Sequence, residues 1–164
     1  MTGPDPQLHT LLDRAVALAV DSVSDDGGPF GALVVRSVDD GWTTVAEGTN
    51  RVTASHDPTA HAEVVALRAA GAALGTHELS GCVLLASCEP CPMCLTAAMW
   101  ARVDAVWFAA TRHDAAAAGF DDLAFYDQLD RPREQWVPPV ARAPLTDAVA
   151  PFRAWAAHEG RVGY

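Results

Sequence analysis

Two short motifs contain residues that could together hold a metal ion and move a proton. His61 and Glu63 stand two residues apart, and Cys91 and Cys94 follow about thirty residues later in Pro-Cys-Pro-Met-Cys. One imidazole and two thiolates can bind zinc through three protein ligands, which leaves the fourth tetrahedral position to water, as in catalytic zinc sites. Glu63 is near enough to handle protons on that water without binding the metal. The sequence therefore predicts one Zn²⁺ held by His61, Cys91 and Cys94, with Glu63 as the catalytic proton shuttle.

A closed structural zinc site is the alternative interpretation of these residues. Four cysteines fall within thirteen residues, and in a chain without a secretory signal such crowding favours metal binding over disulfides. Cys88 could supply a fourth ligand and exclude water from the metal. It precedes Pro90, on the strand side of a turn, whereas the other two thiols share the start of a helix. A closed site would also leave Glu63 without a role, so the open site is favoured.

Both halves of the predicted site lie at the starts of predicted helices, and this placement has a physical reason. The N-terminus of a helix carries a partial positive charge, which lowers thiol pKa values and favours thiolate ligation. Cys91 and Cys94 are three residues apart, so their side chains point the same way from the first turn. Two helices whose starts meet could thus bring His61 and both thiols around one metal.

The composition narrows the classes of partner. The chain has 164 residues and a net charge of −10, with 21 acidic side chains against 11 basic ones. Such a balance disfavours binding to a phosphate backbone, which usually requires a basic stripe. The sequence contains no signal-peptide pattern and no apolar run of about 20 residues. We therefore expect one domain over residues 1–164, located in the cytoplasm, with a small uncharged substrate and neither nucleic acid nor a membrane as partner.

The hydrophobic pattern predicts alternating helices and strands. The predicted helices cover residues 7–22, 58–74, 92–102 and 148–158, and the predicted strands cover residues 32–35, 42–47, 82–86 and 103–109. Asp57 is the predicted N-cap of the second helix. A short helix is expected within residues 114–128, and any strand in the proline-containing residues 135–145 would lie at an edge. This order predicts an α/β fold, a three-layer α-β-α sandwich with a central mixed five-stranded sheet.

Four stretches extend the pattern beyond the zinc motif. They are Gly28-Pro29-Phe30-Gly31-Ala32, Asp57-Pro58-Thr59-Ala60-His61-Ala62-Glu63, Ser87-Cys88-Glu89-Pro90-Cys91-Pro92-Met93-Cys94 and Ala118-Gly119-Phe120-Asp121-Asp122. With them the chain resembles the bacterial guanine deaminases of the cytidine deaminase superfamily over nearly its whole length. The zinc motif is specific to the superfamily, whereas residues 114–122 and the C-terminal Tyr164 are typical of the guanine branch.

The resemblance implies a zinc-dependent hydrolase that converts guanine to xanthine and ammonia, with zinc-bound hydroxide attacking C2. It also implies a set of substrate-binding residues, Asn50, Phe30, Ala62, Trp100, Asp122 and Tyr164. Asn50, the only asparagine of the chain, would hydrogen bond to the purine through both donors and an acceptor. Asp122 would accept from ring N–H or amine groups. Phe30 and Trp100 would sandwich the base plane.

The resemblance further implies a homodimer. In this family the C-terminal segment, here about residues 146–164, crosses to a partner subunit, so that its tyrosine completes the neighbouring pocket. Gly163 directly precedes Tyr164 in this chain and loosens the approach of the terminal residue.

Three other functions remain open from the residues alone. The same chemistry could act on guanosine, on an aminotriazine such as ammeline, or on cytosine, because pocket contacts select the ring. A tRNA adenosine deaminase shares both half-motifs, although the acidic balance and the lack of a basic tail disfavour it. A zinc-stabilised binding module without catalysis would have four protein ligands and release no ammonia.

Overall fold

The computed structural model describes residues 5–39 and 41–163. Its strands are β1 (Gly28–Val38), β2 (Gly41–Asn50), β3 (Cys82–Cys88) and β4 (Ala105–Ala110). Its helices are α1 (Pro6–Ser24), α2 (Val52–Ser55), α3 (Ala62–Leu74), α4 (Pro92–Trp100), α5 (Arg112–Ala117), α6 (Asp122–Leu129) and α7 (Ala150–Ala157), with a 3₁₀ turn at Arg133–Gln135. Each helix and strand predicted before residue 111 is present, with ends that differ by a few residues.

The four described strands form one mixed sheet in the order β2-β1-β3-β4. β1 pairs antiparallel with β2 and with β3, whereas β3 and β4 are parallel. The mixed sheet and the α/β class are therefore confirmed, but the described residues supply four strands and not the five expected. The proposed edge strand within residues 135–145 does not form. Its prolines, Pro138, Pro139 and Pro144, lack the N–H group that pairing to a neighbouring strand requires.

Alternate side chains of the sheet enter two different cores, as the pleat of a strand requires. On one face Leu33, Val35 and Leu85 pack with Leu8 and Ala15 of α1. The opposite face packs against α3 and α4. Its buried side chains there are Ala32, Val34 and Leu84 of the sheet, and those of the helices are Ala66, Ala70 and Ala98. Helices thus cover both faces, and every residue of β3 is buried. The three-layer α-β-α arrangement follows from this alternation.

Two glycines allow helices to approach the sheet at backbone distance. A Cβ atom at Gly48 of β2 would collide with the Ala62 carbonyl oxygen and lie 2.6 Å from the Ala66 nitrogen in α3. A Cβ atom at Gly31 of β1 would meet the backbone of α1 in the same way, 2.8 Å from the Ala19 nitrogen. Because α3 carries Glu63, the close approach at Gly48 also fixes the height of that residue above the sheet.

The helix predicted from Asp57 begins later than expected. Asp57 Oδ1 accepts from the Thr59 backbone N–H at 2.8 Å and from the Thr59 hydroxyl at 2.7 Å, so residues 57–59 form a local turn. The helix then starts at Ala62, with His61 as its N-cap. The prediction of the cap at Asp57 was wrong because the side chain bonds to its own turn, which moves His61 out of the helix and onto its N-terminal rim.

The chain divides into two compact units, one ending at Tyr126 and the other beginning at Asp127. The first contains the sheet and α1 to α5. In the second, residues 127–163 include the 3₁₀ turn and α7, and none of these described residues is buried. Within the described parts of the chain, no helix is both long and apolar enough to cross a membrane.

The contact between β2 and α3 predicts a large effect of a small substitution. Gly48→Ala places a methyl group against the backbone of α3, which cannot yield as a flexible side chain would. We expect the free energy of unfolding to fall by about 1–3 kcal/mol or more. Urea denaturation of the purified protein measures this. Gly163→Ala is the control, because a Cβ there meets nothing within 4 Å, and equal unfolding midpoints for the two variants would contradict the close packing.

Candidate active site

Three predicted metal ligands meet at one point in the first unit. The ligand atoms of His61, Cys91 and Cys94 all lie within 4.8 Å of one another. Cys91 Sγ is 3.7 Å from His61 Nδ1 and 3.6 Å from Cys94 Sγ. A tetrahedral zinc ion, with bonds of about 2.3 Å to sulfur and 2.0 Å to nitrogen, separates such atoms by about 3.5–3.8 Å. The donor types and their spacing therefore fit zinc.

The starts of two helices place these ligands. His61 is the N-cap of α3 and Cys91 is the N-cap of α4, and both have extended backbone, with ψ of 153° and 167°. Neither side chain caps its own helix, so each is available to the metal centre instead. Cys94 lies in the first turn of α4 and is fully buried. The positive ends of two helix dipoles consequently face the thiols, as the sequence predicted.

Electrostatics favour the thiolate form of Cys91. Its pKa is lowered to about 4, above all by hydrogen bonding with Cys94 and further by hydrogen bonding with His61, although burial opposes the shift. The same pairing with Cys91, together with burial, raises the pKa of Cys94. Hydrogen bonding with Cys91 also raises the pKa of His61. Of the two neighbouring thiols Cys91 is therefore the more readily ionised, and the thiolate is the form that binds metal.

Cys88 stands apart from the ligand cluster. Its thiol donates to the Thr111 carbonyl oxygen at 3.6 Å. Burial, followed by the charge of Asp122, raises the pKa of Cys88 to about 11. A thiol that stays protonated and turns to the backbone is a poor metal ligand. Among the residues that the structure describes, the cluster therefore has three ligands, which is the open arrangement.

Glu63 lies beside the ligands without being part of their cluster. It is the second residue of α3 and only 8% exposed. Burial raises the pKa of its carboxyl group above the ordinary range. A carboxyl group with a raised pKa holds a proton more readily than an exposed one, which is the property required of a group that accepts and returns protons. These properties suit the proton-shuttle role predicted for Glu63.

A cavity of about 350 Å³ opens at the metal centre. Its lining combines acidic side chains, Glu63, Glu89 and Asp122, with aromatic ones, Phe30, Phe120 and Phe125. Burial, followed by the charge of Cys91, raises the pKa of Asp122. The volume is at the small end of the range of ligand pockets, about 300–1,000 Å³. It suits one small ring system with both apolar faces and polar edges.

The backbone fixes the orientation of the Asn50 amide. The Val52 N–H donates to Asn50 Oδ1 at 3.2 Å, which engages the oxygen and leaves the NH₂ group for a ligand. Gly28 lies against this amide, since a Cβ atom there would be 3.0 Å from Asn50 Cγ. Asn50 lines the pocket and offers it donors, a narrower role than the donor and acceptor expected from the sequence.

The structure brings together only some of the predicted substrate-binding residues. Phe30, Asn50 and Asp122 line the pocket. Ala62, the first residue of α3, is buried in the core between α3 and the sheet, and Trp100 ends α4 with 57% of its surface exposed. Neither of these two is among the described residues that line the cavity. Tyr164 lies outside the described residues.

Eight of the described lining residues were missed by sequence reasoning, and among them Phe120, Phe125 and Glu89 offer the pocket an aromatic or acidic side chain. Phe120 packs edge to face against Phe30, with ring centroids 4.8 Å apart and an interplanar angle of 81°. Phe120 and Glu89 belong to the stretches that carry the family resemblance, so their motif positions could have identified them. Phe125 has no such signal, because it reaches the pocket only through the path of α6.

Comparisons with known proteins agree with this geometry. A family model described as the cytidine and deoxycytidylate deaminase zinc-binding region matches residues 5–110. The chain is 52% identical over 148 residues to the guanine deaminase of Bacillus subtilis (strain 168), covering 90% of this chain and 92% of that protein. An X-ray structure of B. subtilis guanine deaminase superposes with a TM-score of 0.89 at 48% identity, over 95% of this chain and 98% of that one. A structure of the guanine deaminase from Nitrosomonas europaea superposes with a TM-score of 0.63 at 35% identity, over 74% of this chain and 76% of that one.

The open site predicts which thiols zinc binding requires. Cys91→Ala and Cys94→Ala each remove a ligand, and we expect the zinc affinity, measured by competition with a chromophoric chelator, to fall at least about 100-fold. Cys88→Ala should keep one zinc per chain. A Cys88→Ala variant that loses zinc as readily as Cys91→Ala would instead indicate the closed four-ligand site. The absorption spectrum of the cobalt-substituted protein provides an independent measure of the number of thiolate ligands.

Proposed function

We propose that this chain, which belongs to the cytidine and deoxycytidylate deaminase zinc-binding family, hydrolyses guanine to xanthine and ammonia. The proposal is carried by the open three-ligand centre and by the buried carboxyl of Glu63, which lines the same small pocket as His61 and Cys91. The chain is a homologue of the B. subtilis guanine deaminase, and that relative supplies the choice of guanine as substrate. Hydrolysis of a cyclic amidine is the reaction class that this combination supports.

In this reaction the bond between C2 and the exocyclic amine of guanine breaks, a C2–oxygen bond forms, and one water molecule is consumed. His61, Cys91 and Cys94 would hold the zinc ion, whose chemical contribution would be to lower the pKa of a water molecule toward 7 so that it can act as the nucleophile at neutral pH. Glu63 accepts one proton of that water and delivers it to the ring nitrogen next to C2. The second proton passes through the same carboxyl group to the departing amine, which leaves as ammonia.

Asn50 and Asp122 offer the base hydrogen-bonding groups of opposite kinds. The NH₂ group of Asn50 can donate to O6 and N7 of guanine, both of which are acceptors. The Asp122 carboxylate can accept from N–H groups of the ring or from the amine. Phe30, which packs edge to face with Phe120, offers an apolar surface to the base plane. The pocket thus provides a partner for each side of a purine.

Ala62, Trp100 and Tyr164 complete the proposed substrate site. We propose that Trp100 covers the base face opposite Phe30, that Ala62 contacts the base, and that Tyr164 closes the pocket. These three assignments are supported by the family resemblance alone. Ala62 and Trp100 are not among the described residues that line the cavity, and Tyr164 lies outside the described residues.

We further propose a homodimer in which the C-terminal segment, about residues 146–164, is exchanged between subunits. The described part of the second unit has no buried residue and exposes large apolar side chains. Leu145, Phe152 and Val162 are 71%, 72% and 67% exposed. A concentration of such side chains marks an interaction surface. We also propose the cytoplasm as the compartment, because all four cysteines are free thiols and two of them are zinc ligands.

Ammonia release from a panel of rings tests the proposed activity and the role of Glu63 together. Zinc-loaded protein is incubated separately with guanine, guanosine, ammeline, cytosine and adenine. We expect release from guanine, with xanthine appearing in equal amount. Glu63→Gln keeps the shape of the side chain but cannot carry a proton, so we expect turnover to fall at least about 10²–10⁴-fold while zinc content and guanine binding persist.

Three results would contradict this proposal. Release only from another ring would leave the metal centre and Glu63 in their roles and overturn the choice of substrate. Full activity of Glu63→Gln would overturn the proton-shuttle mechanism. If the folded, zinc-loaded protein released no ammonia from any of the five compounds, the non-catalytic binding module would be favoured.

The exchanged dimer predicts a change of mass on truncation. Light scattering coupled to size-exclusion chromatography should give twice the mass of one chain for the full-length protein. A chain ending at Leu145 loses the exchanged segment, so we expect a monomer with strongly reduced kcat/KM for guanine. A full-length monomer with undiminished activity would remove the shared role of Tyr164.

A further inference from the structure

Three side chains outside the metal centre form a continuous cluster beside it. The backbone N–H of Arg112, the first residue of α5, donates to Glu89 Oε2 at 3.0 Å, and its guanidinium pairs with Glu89 Oε1 at 3.2 Å. The carbon of the same guanidinium lies 4.0 Å from the centre of the Tyr126 ring, within range of a cation–π interaction. The side chains of Glu89 and Arg112 are 16% and 32% exposed, so water screens this pair less than a surface pair.

Tyr126 connects this Glu89–Arg112–Tyr126 cluster to the zinc-binding loop. Its hydroxyl donates to the Pro90 carbonyl oxygen at 2.7 Å, and Pro90 is bonded directly to the ligand Cys91. On the other side of Pro90, the Glu89 N–H donates to the Ala110 carbonyl oxygen at 2.8 Å. The loop is therefore held from two directions immediately before its first cysteine.

Tyr126 also anchors the helix that carries Asp122. No residue of α6 is buried, so apolar packing contributes little to fixing the position of this helix. Asp122 and Tyr126 are four residues apart and lie on the same face of α6. Asp122 lines the pocket whereas Tyr126 does not. The contacts of Tyr126 therefore govern where the Asp122 carboxylate stands relative to the metal ligands.

We propose that Tyr126 is a positioning residue for Asp122, and that it holds this carboxylate at its place in the pocket by joining α6 to Pro90 and to the Glu89–Arg112 pair. The inference rests on the proposed function, in which Asp122 accepts hydrogen bonds from the base. Since Tyr126 stands outside the cavity, the effect of its hydroxyl on the substrate passes through Asp122.

Tyr126→Phe removes the hydroxyl and keeps the ring that Arg112 covers. We expect kcat/KM for guanine to fall about tenfold, mainly because KM rises. A tenfold loss is at the low end of what a hydrogen bond to a charged group contributes, here the bond between the base and the Asp122 carboxylate. Binding gives a readout that does not depend on turnover. In the inactive Glu63→Gln chain, the dissociation constant for guanine, measured by equilibrium dialysis, should rise by the same factor when Tyr126→Phe is added. Zinc content should stay at one per chain in each variant.

A double-variant cycle separates positioning from a general structural role. In an Asp122→Asn background, adding Tyr126→Phe should cause no further loss of kcat/KM, because the charge that Tyr126 positions is gone. Arg112→Lys weakens the same cluster and should behave like Tyr126→Phe. The matched control is Arg14→Lys, since Arg14 forms an equally two-pronged pair with Glu47, at 3.1 and 3.0 Å, far along the chain from α6. It should leave kcat/KM unchanged.

The outcomes distinguish the inference from the proposed function. An unchanged kcat/KM for Tyr126→Phe, or equal losses in the Asp122 and Asp122→Asn backgrounds, overturns the positioning role while guanine turnover by the wild type stands. No guanine turnover by zinc-loaded wild type overturns the proposed function. In that case equilibrium dialysis still tests the positioning role of Tyr126. Equal guanine affinity with and without the hydroxyl overturns the inference, and so does the absence of any guanine binding.

Discussion

The meeting of two helix N-termini at one metal centre is the constraint on which the rest of this structure depends. His61 and Cys91 are both N-caps, and their ligand atoms must lie within 4 Å although thirty positions of sequence separate them. The sheet makes this possible. α3 follows β2 and α4 follows β3, and these two strands flank β1 on either side. Both helices then cover the same face of the sheet, so that their first turns converge above β1.

Small side chains make this convergence close enough. Gly48 and the alanines of α3 let the helix sit at backbone distance from β2, which is possible only where no side chain intervenes. The closeness has an electrostatic consequence. Glu63, one residue past Ala62, is drawn into surroundings from which water is largely excluded, and burial is the leading cause of its raised pKa. Packing on the sheet and acid–base character in the pocket thus have the same origin.

Sequence reasoning identified the metal ligands and the mixed sheet, and it failed in three places for different physical reasons. His61, Cys91 and Cys94 could be grouped because ligand type and spacing alone restrict what they can do, and the mixed sheet followed from the order of periodic segments. The start of α3 was misplaced because Asp57 can satisfy a turn as well as a helix. Phe125 and the Glu89–Arg112–Tyr126 cluster depend on how α6 crosses the zinc loop, which no periodicity records. The expected fifth strand does not form because the prolines of residues 135–145 lack the backbone N–H groups that a strand needs for pairing.

The fixed amide of Asn50 has a consequence for selectivity by repulsion. Because the Val52 N–H holds Oδ1, the side chain cannot rotate by half a turn to exchange its oxygen for its nitrogen without leaving that donor unpaired. If Asn50 binds the carbonyl edge of guanine as proposed, a base that presents an amine there would bring two donor groups face to face, with no rearrangement available to the amide. Discrimination of this kind requires no bulky side chain in the pocket. The Val52 N–H alone, by fixing the amide, would disfavour bases that present a donor to Asn50.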